Sequence, residues 1–138
     1  MKRKQIVLVI IYILVICIIV ICGNAMKRAI NIVKLSKDSC VVIQYERDGK
    51  KSMQELEKDD AKIIVDILDK HVEYKENYSC GFSDALAIII DQRTFYIASD
   101  GCPFILDTTN NLFIKISKNE KHTISDIFSK HGGIVYWQ

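Results

Sequence analysis

The longest feature of the hydrophobic pattern is an apolar run from Ile6 to Cys22 that contains no charged residue. A helix of this length rises about 26 Å, which approaches the roughly 30 Å of a bilayer's hydrocarbon core. The run therefore predicts a membrane anchor or signal segment over residues 1–25. Cleavage as a secretory signal is the alternative, since Gly23–Ala25 has the small residues of a cleavage site. The basic leader, residues 1–5, favours an amino terminus inside and a domain outside the membrane.

Beyond this run the pattern changes to short elements that belong to one domain. Residues 26–38, with apolar and basic side chains mixed, are predicted to form a helical juxtamembrane stalk, and residues 39–138 a single α+β domain. Alternation over Cys40–Arg47 indicates a strand, and Asp48-Gly49 is a strong signal for a hairpin turn. The returning strand is predicted to extend through Met53.

Two helices and several further strands follow from the spacing of apolar positions. The first helix is predicted over Glu57–His71, with a buried face formed by Ile63, Ile64, Ile67 and Leu68. The second helix begins with the capping box Ser117/Glu120 and ends at Gly132-Gly133. Five further strands are predicted at residues 72–75, 85–90, 94–98, 104–106 and 112–116. Residues 134–137 are expected to close the chain as a strand or a packed tail.

The two helices match each other at an offset of 60 residues, and each follows a predicted hairpin. The matches include Lys58 with Lys118 and His71 with His131. A duplicated strand-strand-helix unit explains them, and so does the shared composition of two amphipathic helices. Both explanations predict an α+β fold in which an antiparallel sheet has two helices on one face. The order of elements resembles one repeat of the TATA-binding-protein fold, a likeness that implies nothing about DNA binding.

The charge balance argues against nucleic-acid binding. The chain has 19 basic and 17 acidic residues, and without the three basic residues of the leader it has 16 basic residues against 17 acidic ones. A domain that binds phosphates would show a basic excess on one face. The partners predicted instead are the lipid bilayer and a protein or small molecule of unknown identity.

Three cysteines lie in the predicted domain, at Cys40, Cys80 and Cys102. Outside the cell a disulfide is expected, and Cys80 with Cys102 is the favoured pair because a hairpin between them would bring its two ends together. Pairing of Cys40 with either of the others, or three free thiols, are the alternatives. No spacing typical of a zinc site occurs, so we predict neither a metal nor a cofactor.

Catalytic residues are harder to find in this sequence. A cysteine nucleophile would need one of three histidines as its base, but His71 and His131 fall at the ends of the helices and His122 on a polar face. The aspartates Asp84, Asp91, Asp100 and Asp107 flank strands and are typical of turns. We therefore predict no catalytic residue.

Aromatic side chains are spread through the predicted sheet, and with both helices on one side some of them must lie on the uncovered face. Tyr96, Ile105 and Phe113 are the candidates for a binding surface there, with core packing as the alternative.

The segments Cys80-Gly81-Phe82 and Asp100-Gly101-Cys102, followed by a helix that ends in Gly132-Gly133, resemble those of small bacterial proteins that are secreted or anchored in the membrane. This resemblance implies a paired CGF and DGC arrangement and export, and it implies no activity. The sequence thus predicts a single-pass, membrane-tethered, extracytoplasmic binding module. A small exported enzyme and an adaptor facing the cytoplasm are the alternatives.

Overall fold

A computed structural model describes residues 10–19, 29–69 and 71–135. Residues 10–19 form helix α1, which lies inside the predicted anchor Ile6–Cys22. The rest of that anchor, the leader and Gly23–Ala25 lie outside the described residues. Within the described part of the chain, we find no helix with both the length and the apolar composition that a membrane crossing needs.

The other elements among the described residues are eight strands and two helices. In chain order they are β1 (Ala29–Ile32), β2 (Val41–Arg47), β3 (Lys50–Glu55), α2 (Lys58–Leu68), β4 (Val72–Tyr74), β5 (Phe82–Ile90), β6 (Arg93–Ala98), β7 (Phe104–Asp107), β8 (Leu112–Lys115) and α3 (Lys118–Lys130). The strands form one sheet in the order β1-β4-β8-β7-β6-β5-β2-β3, and every neighbouring pair is antiparallel. The predicted α+β class with an antiparallel sheet is confirmed.

Alternation along the strands places one face of the sheet in the core. Ile43, Ile88 and Phe95 are cross-strand neighbours on β2, β5 and β6, and all three are completely buried. Ile64 of α2 and Phe128 of α3 belong to the same apolar cluster. Both helices therefore cover this face, as predicted, and neither of them lies on the other face of the sheet, the outer face.

Local signals explain where the hairpins and α3 begin. Asp48 and Gly49 have φ of 53° and 71°, the left-handed backbone that a two-residue hairpin turn requires. Ser117 accepts a hydrogen bond from the Glu120 N–H, and the Glu120 carboxylate accepts one from the Ser117 N–H. The predicted capping box is confirmed.

The prediction of a helical stalk is wrong at residues 29–32. These residues form β1, which pairs with β4 at one edge of the sheet, and Val33 just after it is completely buried in the core. The pairing partner lies about forty residues further along the chain, beyond the reach of a local pattern. The folded domain therefore includes residues that precede the predicted boundary at residue 39.

Two smaller corrections concern the first helix and the chain's last described residues. The helix α2 ends at Leu68, short of His71, and its buried face is formed by Ala61, Ile64, Val65 and Leu68. Ile63, predicted to be buried, is 40% exposed. Residues 133–135 form no strand, and the buried side chain of Val135 makes this segment a packed tail, one of the two predicted alternatives.

Candidate functional site

The outer face presents a row of side chains that runs across most of the sheet. Gln44, Ala87, Tyr96, Leu106, Phe113 and Tyr74 are successive cross-strand neighbours on β2, β5, β6, β7, β8 and β4. Tyr96, Leu106 and Tyr74 are half-buried, and so is Ile89 in the row beside them. The row is thus largely apolar, with the Tyr96 phenol near its middle, the Tyr74 phenol at one end and the Gln44 amide at the other.

One end of the outer face is covered by the segment that joins β4 to β5, residues 75–81, here called the strap. Because β4 and β5 lie on opposite sides of β8, β7 and β6, the strap has to cross these three strands. Tyr78 at its centre stacks on Phe104 with 3.7 Å between ring centroids and meets the edge of Phe113 at 5.1 Å. The strap therefore buries the aromatic end of the face and leaves the end around Tyr96 open.

A disulfide joins the end of the strap to the sheet. Cys80 is bonded to Cys102, as predicted, and Cys40 is free and exposed. Asp100 accepts hydrogen bonds from the N–H groups of Gly81 and Cys102, at 2.7 and 3.3 Å, so it braces the turns on both sides of the bridge. The three residues are close enough together to hold a metal ion, but both sulfur atoms are used in the disulfide.

The predicted binding residues are therefore only partly brought together. Tyr96 and Phe113 lie on the outer face, where Phe113 is almost fully buried under the strap. The placement of Ile105 on this face is wrong. It pairs with Ile97 and Ile114 on the helix-covered face and is completely buried, because the alternation within β7 runs opposite to the predicted one.

The helix ends carry a reciprocal pair of contacts between histidines and acids. His71, after α2, lies 3.2 Å from Glu120 in the first turn of α3, and His131, after α3, lies 2.8 Å from Asp60 in the first turn of α2. Asp60 and Glu120 are 60 residues apart, as His71 and His131 are. The offset found in the sequence therefore relates the two acids to each other as well as the two histidines. This relation agrees with a duplicated unit, which stays a prediction.

The acid in each contact has a pKa below its ordinary value. Hydrogen bonds from Lys130 and then His131 lower the pKa of Asp60. Burial acts to raise the pKa of Glu120, but hydrogen bonds from Ser117 and the nearby His71 outweigh it and the pKa is lowered. Both acids are therefore anions at neutral pH, placed where the positive ends of the helix dipoles also favour them.

We expect Asp60→Asn to lower the free energy of unfolding by about 1 kcal/mol at pH 7, with the exposed Lys130 contributing little. Because the pKa of Asp60 is lower in the folded state, its contribution is present above the ordinary value of 3.8 and is lost as the pH falls through the folded value. Chemical unfolding of both proteins between pH 7 and 2 checks this. A difference that persists at the acid end would contradict it.

A separate group of charges, in which two acids are buried, is centred on Arg93 on the helix-covered face. Its Nη2 atom donates to Glu73 at 2.7 Å and to Asp107, and both acids are completely buried. Asp107 also accepts hydrogen bonds from the N–H groups of Thr109 and Asn110 in the turn that follows. Burial acts to raise the pKa of Asp107, but the hydrogen bonds from Arg93 and the Asn110 side chain prevail and hold it below its ordinary value.

The groups considered for catalysis are separated by these contacts. Cys80 and Cys102 are oxidised, His71 and His131 face carboxylates at the helix ends, and His122 is exposed beside Asp126. Of the aspartates, Asp84 pairs with Lys51. Asp91 lies in a turn with φ of 53°, and Asp100 and Asp107 accept backbone hydrogen bonds. Among the described residues, no histidine meets a free thiol.

Sequence reasoning missed the charged residues on the covered face. Glu73 and Arg93 occupy strand positions that alternate with their neighbours like apolar core residues, and Asp107 was interpreted as a turn residue only. The available signal was the alternation within each strand, which places all three side chains on the core side of the sheet.

Comparison of the chain with family models, curated proteins and solved structures found no match.

Proposed function

We propose that this chain is a membrane-tethered binding module whose domain lies on the outer side of a bacterial membrane and contacts another protein through the open end of the outer face. The observation that carries the proposal is the half-buried apolar row around Tyr96, Leu106 and Ile89, which neither α2 nor α3 covers. An apolar patch on a sheet face suits a protein surface better than a small molecule, which favours a concave site.

Two further observations support the location. The large apolar side chains of α1 are 43–70% exposed on every side of the helix, and such a surface needs either lipid or a partner to cover it. The uncharged apolar sequence of the predicted anchor Ile6–Cys22 continues on both sides of α1. The disulfide Cys80–Cys102 fits an oxidising compartment, since cytosolic thiols are kept reduced. An enzymatic function has no comparable support.

The location predicts a defined pattern of thiol labelling in intact cells. With a membrane-impermeant maleimide we expect one adduct in the domain, at the exposed Cys40, and two more at Cys80 and Cys102 after reduction. The other exposed free thiol among the described residues, Cys17, lies in the predicted anchor, where lipid would shield it. The hydrogen bond to Glu55 raises the pKa of the Cys40 thiol, so labelling should be done at mildly alkaline pH. Gel shifts count the adducts, and Cys40→Ser should remove only the first. No adduct before lysis would contradict an outside domain.

The contact surface is tested by placing a photo-crosslinking amino acid at position 96 in intact cells. The matched control is position 63 on α2, which is also apolar and accessible but lies on the opposite side of the sheet. We expect cross-linked products of a defined mass from position 96 and none of the same mass from position 63. Identical products from both positions, or none from position 96, would refute the outer face as the contact surface.

A further inference from the structure

The strand β3 ends the sheet with one edge that pairs with no described strand. Register pairs Arg47 with Lys50 across the two-residue turn, and the N–H of Leu56 donates to the Val41 carbonyl at 2.8 Å. In an antiparallel pair, alternate residues bond to the same neighbour. The even-numbered residues of β3 therefore bond to β2, and the backbone groups of Lys51, Met53 and Glu55 point away from the sheet.

This edge has few of the features that normally protect an edge strand. Proteins use proline, bulges or very short strands for this purpose. β3 has six residues, it contains no proline, and its register with β2 is unbroken. Met53 at its centre is 61% exposed. Lys50 and Lys51 at one end protect the edge in part, because charged side chains disfavour strand pairing. Glu55 at the other end, however, gives the strand a charge pattern complementary to that of a second, antiparallel copy.

The backbone and the charges together select one register for the pairing of two β3 strands from two copies of the chain. Two β3 strands can pair antiparallel only if outward-pointing residues lie opposite outward-pointing residues. One such register sets Met53 opposite its own copy and Lys51 opposite Glu55 of the second copy, twice by symmetry. Shifting by one allowed step in either direction places Met53 opposite Lys51 or Glu55 and removes both charge pairs.

We propose that β3 is a homodimer interface, in which two copies of this chain join their sheets edge to edge in that register. About six backbone hydrogen bonds would form across it, two for each opposed outward pair. The Lys51 side chain already contacts Asp84 on the outer face, so it would lie between two acids. The proposal does not depend on the membrane anchor or on the open end of the outer face.

The test uses the full chain in cells, with a photo-crosslinking amino acid in place of Met53. We expect a product with twice the mass of the chain. Lys51→Glu or Glu55→Lys should each reduce it about tenfold, since each places two like-charged pairs across the interface. The double variant K51E/E55K reverses both charges and should restore it.

The double variant separates dimerisation from contacts within one chain. Lys51 contacts Asp84 and Glu55 accepts from Cys40, and the double variant restores neither contact. Formation of the Cys80–Cys102 disulfide in every variant, measured by thiol labelling, shows that each one folds. The proposal is overturned by the absence of a product, by a product insensitive to the single changes, by failure of the double variant to restore it, or by a product with the mass of a different partner.

Discussion

Replacing Arg93 with methionine is expected to lower the free energy of unfolding at pH 7 by about 3–5 kcal/mol, the usual cost of removing one partner from a buried ion pair. Arg93 is the cation within hydrogen-bond reach of both Glu73 and Asp107, and both acids are inaccessible to solvent. Methionine fills a similar volume, so lost packing contributes little. Urea unfolding followed by circular dichroism in detergent measures the difference.

The pH dependence of that difference identifies its cause. In the native protein the lowered pKa of Asp107 means that its stabilisation is present above the ordinary value of 3.8 and is lost as the pH falls through the folded value. Without Arg93, burial would dominate and raise the pKa of Asp107, so the variant gains stability as this acid becomes protonated. The difference between the two proteins should therefore shrink towards pH 3.

Removing one acid as well provides the control. The double variant R93M/E73Q removes the charges of Arg93 and Glu73 and leaves Asp107 as the buried charge of this cluster. Asp107 keeps the hydrogen bonds from the backbone N–H groups of Thr109 and Asn110. We expect this variant to recover part of the stability lost in R93M. A loss of less than about 1 kcal/mol in R93M, or one independent of pH, would show that the cluster is open to water.

Local signals were sufficient for the elements whose partners are close in sequence. The turn at Asp48-Gly49 and the capping box of Ser117 and Glu120 each depend on a few adjacent residues, and the structure has both. The disulfide was predicted from a single hairpin between its cysteines. In the structure Cys80 and Cys102 do flank β5 and β6, which form that hairpin.

Features that depend on distant parts of the chain were not recoverable in this way. The strand β1 pairs with β4, and nothing within residues 29–32 indicates a partner beyond a whole helix and two strands. Ile105 lies in a strand of four residues, too short for its alternation to decide which side chains point inward. The cluster around Arg93 unites three strands, so no single segment of sequence contains it.

The existence of an outer face was predicted from the sequence, but how much of it is open was not, because this too depends on distant parts of the chain. Two helices on one side leave the other side open, and that inference holds for Tyr96. The crossing of the strap could not be foreseen, because it follows from the sheet order, which places β4 and β5 on opposite sides of three other strands. The strap consequently covers Phe113, whereas Leu106 lies beside Tyr96 in the open part of the row.

Removal of the disulfide, in the double variant C80S/C102S, is expected to lower the free energy of unfolding by about 3 kcal/mol. The bridge closes a loop with a sequence separation of 22 residues, and the chain-entropy estimate for a loop of this length is about 3 kcal/mol. This is a large share of the about 5–15 kcal/mol that stabilises a typical domain. The strap should loosen first, since Cys80 is its covalent link to the loop between β6 and β7, and without it Tyr78 is held by ring contacts.

Two measurements distinguish this entropic role from a general effect of cysteine replacement. Cys40→Ser should leave the unfolding midpoint unchanged, because the thiol of Cys40 is exposed and its hydrogen bond to Glu55 is one that a serine hydroxyl can also donate. Adding a reductant to the native protein should lower its midpoint to that of C80S/C102S and should leave the double variant itself unaffected. If the reduced native protein unfolded at the same midpoint as the oxidised one, the bridge would not stabilise the fold. The aromatic contacts of Tyr78 would then be sufficient to hold the strap across the outer face.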